Sequence, residues 1–348
     1  MLSSHRYVIT GLCTLIVLFL VSMMAPGGIA FATHAAGQAM MRSSPMRAIP
    51  TVRGIITQYP VPTPNSEPED IVTGPDGNLW FTESDGSQSR SVIGKITPNE
   101  TITEYPVPGG NGFPSSITVG PDGKLWYIKD GGSTIGKIST SGKFTEYRVL
   151  GYPVDITAGP DGNLWFTQGL SNQIGRITPR GKITEFTIPT ANSGPSGITS
   201  GPDGNLWFTE TQGNKIGKIT PTGVITEYSL PGASSEPVNI TTGLPGDGNL
   251  WFVEYAGNRI GKISTTGTIT EYTIPTAQCH PEDITLWSDG SIWFTEEASG
   301  FIGRMTPKGF FTEYPIPMGG AWGMTVGPDH NVWFANYWGN SIDKITAK

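Results

Sequence analysis

The chain is poor in the residues that most often carry enzyme chemistry. Its 348 residues include 2 cysteines and 4 histidines. His5 and His34 precede the repetitive part of the chain, and His330 falls in a turn, so His280 alone is expected near a binding surface. The repetitive part therefore offers neither a histidine-rich metal site nor a serine–histidine–aspartate triad.

Cysteine cannot stabilise this fold by cross-linking. Cys13 lies in an N-terminal apolar run, which leaves Cys279 as the single cysteine of the remaining chain. One thiol cannot form an internal disulfide, so packing must supply the stability. Cys279 is followed by His280, but the side chains of sequence neighbours usually diverge, which disfavours a cysteine–histidine catalytic pair.

Clusters of basic residues are also missing. Lysine and arginine number 22 against 29 aspartate and glutamate residues, the formal net charge is −7, and the basic residues are scattered singly. A nucleic-acid-binding surface needs basic residues gathered on one face. We therefore expect no nucleic-acid partner.

Only the N-terminus has a long apolar run. Arg6 precedes a nearly uninterrupted apolar segment from Val8 to Met24, and the small-residue segment Ala30-Phe31-Ala32 follows it. This layout predicts a signal peptide over residues 1–32, and an uncleaved membrane anchor is the alternative. Both place the rest of the chain outside the cytoplasm, either secreted or membrane-anchored.

Glycine and proline are abundant, with 47 and 29 copies. Residues 33–52 lack periodicity and predict a flexible leader. Over residues 53–348, in contrast, a unit containing GPDGNLWFTE, IGKI and ITEY recurs seven times. Each copy has four short β-prone runs separated by turn residues, which predicts four antiparallel strands. The tryptophans of the seven copies stand 39 to 46 residues apart: Trp80, Trp126, Trp165, Trp207, Trp251, Trp293 and Trp333.

These repeats predict an all-β fold, a seven-bladed β-propeller of four-stranded antiparallel blades. The seventh copy ends at Lys348 before its fourth strand, and Ile55–Tyr59 at the other end of the domain supplies a matching segment. We expect this N-terminal strand to complete the last blade and close the ring. The motif tryptophans and the phenylalanines that follow them are assigned to the core between blades. We expect the protein to be a monomer.

In a propeller, the start of strand one and the end of strand two reach one face near the axis. Strand-two ends place glutamates there in four blades: Glu83, Glu210, Glu254 and Glu296. Converging carboxylates can hold a divalent cation or raise one another's pKa for acid–base work. Alternatively, each glutamate accepts hydrogen bonds from backbone amides of the next blade's loop. Both interpretations stay open at this point.

Departures from the repeat mark a second set of candidates. Trp322, Tyr337 and Trp338, with Tyr255, fall on the same face around blades five to seven, and His280 approaches it. These side chains could form an apolar wall for a small-molecule or peptide-like ligand. They could equally close the central channel.

The repeat resembles the virginiamycin B lyase family, which inactivates streptogramin B antibiotics. The likeness rests on GPDGNLWFTE and NKIGKITPTGVITEYSLP in the fourth copy and extends over residues 53–348. It implies a carbon–oxygen lyase that opens a cyclic depsipeptide at its ester bond by elimination, with Mg²⁺ as cofactor. It also implies catalytic histidines in Pro-His-x-Ile segments that open the last two blades, and a glutamate after the last Trp-Phe.

The corresponding positions differ in this chain. Glu282 stands at the histidine position of the sixth blade, Trp322 at that of the seventh, and Tyr337 at the glutamate position. A tryptophan cannot take up or release a proton near neutral pH, which leaves Glu282 as the candidate catalytic base. We therefore expect a ligand-binding member of the family rather than an active lyase. The alternative is a surface propeller that binds other proteins and has no small-molecule chemistry.

Overall fold

The computed structural model describes residues 56–84, 91–109, 112–130, 133–317 and 319–346. The expected signal peptide or anchor at 1–32 and the leader at 33–52 lie outside these residues, as does Ile55. Within the described ranges, no helix is long and apolar enough to cross a membrane.

The described residues form 28 β-strands. In chain order the strands are β1 (Ile56–Pro60), β2 (Pro68–Thr73), β3 (Leu79–Ser84), β4 (Ser91–Ile96), β5 (Ile102–Pro106), β6 (Phe113–Val119), β7 (Leu125–Asp130), β8 (Thr134–Ile138), β9 (Phe144–Arg148), β10 (Pro153–Ala158), β11 (Leu164–Gln168), β12 (Gln173–Ile177), β13 (Ile183–Thr187), β14 (Pro195–Ser200), β15 (Leu206–Glu210), β16 (Lys215–Ile219), β17 (Ile225–Ser229), β18 (Pro237–Thr242), β19 (Asn249–Glu254), β20 (Arg259–Ser264), β21 (Ile269–Thr273), β22 (Pro281–Leu286), β23 (Ile292–Glu296), β24 (Phe301–Met305), β25 (Phe311–Pro315), β26 (Ala321–Val326), β27 (Val332–Asn336) and β28 (Ser341–Ile345).

The strands form seven antiparallel sheets of four, the blades of the propeller. Blade one is β2–β5, and blades two to six follow in sets of four up to β25. The first strand of each blade contacts the first strand of the next, and β26 contacts β2, so the blades close into a ring. Blade seven has the order β1-β28-β27-β26, which confirms that the N-terminal strand completes the last blade.

A local polar network forms the first hairpin of most blades. In blade four, Gly204 has a φ of +73°, a conformation that glycine adopts without steric cost. The Asp203 carboxylate accepts a hydrogen bond from the Trp207 indole at 3.0 Å. This bond draws the turn and the following strand together, and it holds the pKa of Asp203 below its usual value despite the opposing effect of burial. The GPDG and Trp elements of the repeat are thus one structural unit.

The motif tryptophan then organises its own blade. Trp207 stacks on Tyr228 with ring centroids 5.6 Å apart, and the Lys218 ammonium lies 5.1 Å from the Trp207 centroid. Aromatic pairs and cations over aromatic faces both add to the energy of burial. The same pairing of strand two with strand four occurs in every blade, and in blade seven Tyr59 of β1 fills the strand-four position against Trp333.

The hydrophobic core lies between blades. Trp207 of blade four packs with Leu250 and Phe252 of blade five, while Phe208 packs with Trp165 of blade three. Adjacent residues of a strand point to opposite faces, so each Trp-Phe pair joins its blade to both neighbours. The assignment of these aromatic residues to the core is confirmed.

Ring closure can be tested with a matched pair of substitutions. Tyr59→Ala removes the stack on Trp333 (5.3 Å), and Tyr105→Ala removes the equivalent stack on Trp80 (5.5 Å). We expect Tyr59→Ala to lower the free energy of unfolding by about 3 kcal/mol, as for other large aromatic truncations. Because β1 is joined to blade seven only by non-covalent contacts, we also expect faster amide hydrogen exchange in β28.

The Tyr105→Ala variant is the control. Its strand β5 is connected to β4 by a short turn, so β4 should keep its protection even though stability falls. If β28 in Tyr59→Ala kept the same protection from amide hydrogen exchange as β4 in Tyr105→Ala, the closing role of β1 would be contradicted.

Candidate functional site

A bulge at the start of each first strand positions the residues near the axis. In blade four, Pro195 is opposite Glu210 and Ile198 is opposite Phe208, so β14 carries one more residue than β15 over this stretch. The same register shift occurs in all seven blades. Bulges bend a strand and redirect its side chains.

A strand-two threonine stabilises this bulge. The Thr209 hydroxyl accepts a hydrogen bond from the backbone of Gly197 (2.9 Å) and donates one to the Val238 carbonyl of the next blade (2.9 Å). Thr82 makes the equivalent bonds in blade one, to Asp70 and Ser115. The hydroxyl thus accepts from a backbone N–H that the bulge removes from the strand pairing, and its own bond to the next blade joins the two blades.

The second residue of each bulge belongs to an axial belt. The belt consists of Asp70, Ser116, Asp155, Gly197, Asn239, Asp283 and Gly323. Ser116 donates to Asp155 at 2.6 Å, and Asn239 donates to Asp283 at 2.5 Å. A Cβ at Gly323 would lie 2.7 Å from an Asp70 oxygen, so this glycine leaves room for the carboxylate beside it.

The belt carboxylates are held by the backbone of the following blade. The N–H groups of Ile117, Ile198 and Met324 donate to the aspartates at 2.8, 2.8 and 2.6 Å, respectively. Burial raises the pKa of Asp283 well above its usual value, and the charges of Asp70 and Asp155 raise it further. The three aspartates thus face one another across the axis, and they never occupy adjacent belt positions.

Above the belt, blades five and six form an aromatic and acidic contact. Tyr255 stacks on His280 with ring centroids 4.6 Å apart, and its hydroxyl donates to Glu297 at 3.0 Å. Burial raises the pKa of Tyr255, and the charges of Glu297, Glu282 and Glu236 raise it further. Glu297 is thus bonded directly to this phenol, Glu282 and Glu236 act on it through their charges, and the phenol stays protonated.

Blades seven and one form a second contact of the same kind. Trp322 stacks on Tyr337 at 4.8 Å, and the Tyr337 hydroxyl donates to Glu67 of blade one at 2.7 Å. Burial is the largest cause that raises the pKa of Tyr337. The hydrogen bond to Glu67 and the charges of Glu67 and Glu69 raise it further. Trp338 lies edge-on to Tyr337 at 4.8 Å and is 66% exposed.

The two contacts are neighbours on one face. Gly320 connects them. A Cβ placed on Gly320 would lie 3.7 Å from the backbone carbonyl oxygen of Glu297. The backbone carbonyl of Gly320 accepts a hydrogen bond from the backbone N–H of Tyr337. We call the combined set the mouth cluster. It comprises Glu67, Glu69, Glu236, Tyr255, His280, Glu282, Glu297, Trp322 and Tyr337.

Sequence reasoning placed the aromatic members of this cluster on one face, but it missed several carboxylates. Glu67, Glu236 and Glu297 were not among its candidates. Glu67 and Glu236 precede the first proline of their blades with φ values of 45° and 53°, and His280 does so with 50°. Left-handed backbone is unusual for glutamate and histidine. In the sequence, the only sign of these residues was their place directly before the strand-one proline.

The four strand-two glutamates lie apart from the mouth cluster, each enclosed in its own blade. Glu83, Glu210, Glu254 and Glu296 are all at most 1% exposed. Glu254 approaches Arg259 at 3.4 Å, and Glu296 accepts from Ser299 at 2.7 Å. The groups that act on Glu210, Glu254 and Glu296 belong to strands three and four and to the connecting loops of the same blade.

The Mg²⁺ ion that the family resemblance implies prefers oxygen ligands, of which a protein often supplies only one or two while water supplies the rest. In the part of the chain that the structure describes, no three histidine, cysteine, aspartate or glutamate side chains are placed to hold a metal ion. At the last strand-two end, Asn336 replaces the glutamate and is bonded to Asp343 at 2.9 Å.

The enclosed glutamates predict a pH dependence of stability. Burial, as the largest cause, raises the pKa of Glu210, Glu254 and Glu296 to about 7. Since the folded state then binds protons more tightly than the unfolded state, the free energy of unfolding should decrease as pH rises from about 4.5 to 7. We expect a decrease of about 2.5 kcal/mol per glutamate, measured by urea unfolding at several pH values.

Blade three provides the matched variants for this measurement. Gln168 stands at the equivalent position and donates to Glu185 at 3.3 Å, so an amide fits there. Glu296→Gln should flatten the pH dependence, and Gln168→Glu should steepen it. An unchanged slope in both variants would show that these glutamates do not titrate in this range.

Comparison with known proteins agrees with the fold. The model of the virginiamycin B lyase family matches residues 42–243 and 150–345. A streptogramin B lyase structure is 39% identical with a TM-score of 0.79, covering 84% of this chain and 98% of its own. Virginiamycin B lyase from Staphylococcus aureus is 38% identical with a TM-score of 0.79, covering 84% and 99%, respectively. No curated protein sequence matched the chain.

A second Staphylococcus aureus structure is a catalytically inactive histidine-to-alanine variant of virginiamycin B lyase with quinupristin. It is also 38% identical with a TM-score of 0.79, over 84% of this chain and 99% of that one. The family model spans more than half of the chain, and the structural relatives span nearly all of the propeller. The chain is therefore a member of the virginiamycin B lyase family.

Proposed function

We propose that this protein binds a small or peptide-like ligand at the mouth cluster and does not cleave it by the elimination that the family name denotes. The observation that carries this proposal is the position that opens blade seven. There, Trp322 stacks on Tyr337 at 4.8 Å. An indole has no basic nitrogen, so this position cannot accept a proton from a substrate.

The two neighbouring phenols do not replace the missing base. The hydroxyl of Tyr337 is bonded to Glu67, and its pKa is raised, so the phenol remains protonated at neutral pH. Tyr255 is held in the same way by Glu297. Among the family positions, only Glu282 carries a group that could act as a base.

The same side chains suit binding. Binding pockets combine aromatic walls with a few oriented polar groups. Here, Trp322 and Tyr337 supply half-buried aromatic surface, and the exposed Trp338 extends it. A member of the family from Staphylococcus aureus has been solved with quinupristin, which supports a peptide-like ligand for this fold. The N-terminal segment 1–32 supports placing this activity outside the cytoplasm.

The first test is turnover. When the purified protein is incubated with a streptogramin B and Mg²⁺, we expect formation of the linear product at least about a hundredfold more slowly than with the Staphylococcus aureus enzyme, because a general base is worth that much or more. Product is measured by mass spectrometry.

The Glu282→Gln variant is the control for residual activity. Turnover that is comparable to the Staphylococcus aureus enzyme and lost in Glu282→Gln would show a lyase with a glutamate base, and the binding proposal would then be wrong. Turnover at the level of the Staphylococcus aureus enzyme that persists in this variant would show a lyase with a different base, and the binding proposal would be wrong in that case too.

The second test is binding. Titration with a streptogramin B should change the tryptophan fluorescence of the protein, because Trp322 belongs to the mouth cluster and Trp338 lies against its Tyr337. We expect the apparent affinity for the streptogramin B to be about tenfold weaker in Trp322→Ala, as for an aromatic anchor in an interface. Val224→Ala, at an exposed apolar residue outside the cluster, is the control and should bind as the unmodified protein does.

A further inference from the structure

The turns within the blades form the face of the ring opposite the mouth. In blade four, Ser200 pairs with Leu206 and Ile219 pairs with Ile225, so both turns lie at the end of the blade away from Glu210. We call this surface the hairpin face. It comprises the turns between strands one and two and between strands three and four of each blade, and the basic residue near the end of each strand three.

Basic residues outnumber acidic residues on the hairpin face of blades two and three. These blades carry two acidic residues there, Asp122 and Asp161, and six basic residues: Lys124, Lys137, Lys143, Arg176, Arg180 and Lys182. Lys137 lies 3.3 Å from Asp122, and Arg176 lies 3.6 Å from Asp161. The other four basic residues leave an excess of positive charge, and Lys143, Arg180 and Lys182 are exposed.

The fold brings these residues together, although they are scattered along the sequence. Lys137 of blade two donates to the Pro179 carbonyl in the blade-three turn at 2.8 Å. The same ammonium contacts Asp122, two residues before Lys124. Arg180 follows Pro179 directly and therefore lies at the boundary of the two blades, beside the turn that carries Lys124.

The remaining blades are nearly balanced in charge at this face, and two of them add apolar side chains. Among the described residues of the hairpin face, blades four, five and seven each carry one acidic and one basic residue. Blade one has one acidic residue in excess, and blade six has one basic residue in excess. Val224 and Phe310 stand directly after the turn glycine, as Lys143 and Lys182 do, and they are 63% and 64% exposed.

The chain enters the propeller at the hairpin face. Ile56, at the start of β1, is opposite Ile345, at the end of β28, and Ile345 is opposite Val332, at the start of β27. Residue 55 is thus joined to blade seven at this end. Residues 1–55 contain four arginines and no aspartate or glutamate, so the sequence that precedes β1 adds positive charge.

We propose that the hairpin face docks on an anionic lipid membrane, with the mouth turned away from it. Lysine and arginine are attracted to anionic headgroups, and exposed apolar side chains beside them enter the boundary between headgroups and acyl chains. This inference concerns the face opposite the ligand site and does not depend on what the mouth cluster binds.

A membrane fits these observations better than a soluble polyanion does. A polyanion would contact the basic residues of blades two and three, but it would gain little from Val224 and Phe310, which stand at the same turn position in blades four and six. A lipid surface is flat and wide enough to meet basic and apolar turns of several blades at once.

The test follows amide hydrogen exchange of the full chain by mass spectrometry. Vesicles of phosphatidylcholine alone are compared with vesicles that also contain phosphatidylglycerol, so that contributions of the apolar N-terminal segment are common to both. With phosphatidylglycerol, we expect slower exchange in the turns 139–143 and 178–182 and no change in the mouth-side segment 255–258. We expect added salt to reverse the protection.

A matched pair of charge variants locates the effect. At a phosphatidylglycerol fraction that half-protects the unmodified protein, Lys182→Gln should lose most of the protection, because each basic residue near an anionic surface contributes a factor of about five in binding. Arg148→Gln is the control. Arg148 is equally exposed, but it lies at the mouth-side end of strand four in blade two, opposite Thr134.

A second pair tests the apolar contribution. Phe310→Ala should reduce the protection, whereas Leu170→Ala should not, because Leu170 is 74% exposed but follows strand two on the mouth side of blade three. All four substitutions are at exposed residues, and melting curves show that each variant is folded.

Four outcomes would overturn the proposal. They are equal protection by both kinds of vesicle, protection of the mouth-side segment instead of the turns, equal effects of Lys182→Gln and Arg148→Gln, and no protection by either vesicle. If soluble polyphosphate protected the turns and phosphatidylglycerol vesicles did not, the partner of this face would be an anionic polymer, and the membrane proposal would be wrong.

Discussion

The closed ring of blades is the constraint on which the rest of this structure depends. Every hydrophobic cluster lies between two blades, so a blade that lost a neighbour would expose an entire apolar face. The ring is closed by the pairing of β1 with β28 and by Tyr59 against Trp333. The side chain of Asn340 strengthens the same seam, since it accepts from the Ser66 backbone at 2.6 Å and donates to the Thr63 carbonyl.

The mouth cluster spans this seam. Tyr337 belongs to blade seven and its partner Glu67 to blade one, so the contact between them exists only in the closed ring. Stability and ligand recognition are therefore linked here. A substitution that loosens β1 acts on the site from the opposite side of the blade, without touching any residue that faces the ligand.

Much of the fold could be predicted from the sequence, because the repeat contains its own turn and core chemistry. The motif tryptophan occupies the same place in all seven copies, the strand-four tyrosine in nearly all, and Gly-Pro-Asp-Gly in four. The position of Glu210 could not be predicted in the same way. Successive strand residues point to opposite faces of the blade, and the repeat does not show what each face meets at the strand end. Thr209 faces the next blade, and Glu210 points the other way and is enclosed.

The site was harder to predict than the scaffold for a related reason. Trp322, Tyr337, Tyr255 and His280 were found because they depart from the repeat. Glu67, Glu236 and Glu297 were missed because their approach to the phenols depends on left-handed backbone and on contacts between blades. The sequence of a single repeat does not specify such contacts. They depend on which residues two adjacent blades carry, and these residues differ from one repeat to the next.

Blade seven differs from the other blades at one buried position. In blade four, Gly217 of strand three is opposite Glu227 of strand four, whereas in blade seven Asp343 is opposite Gln58 of β1. Gln58 donates to Asp343 at 3.1 Å, and a glutamate in its place would set two carboxylates against each other. The open edge of blade seven thus discriminates between partners. It favours the glutamine-bearing strand at the start of its own chain over the six glutamate-bearing fourth strands of the other blades.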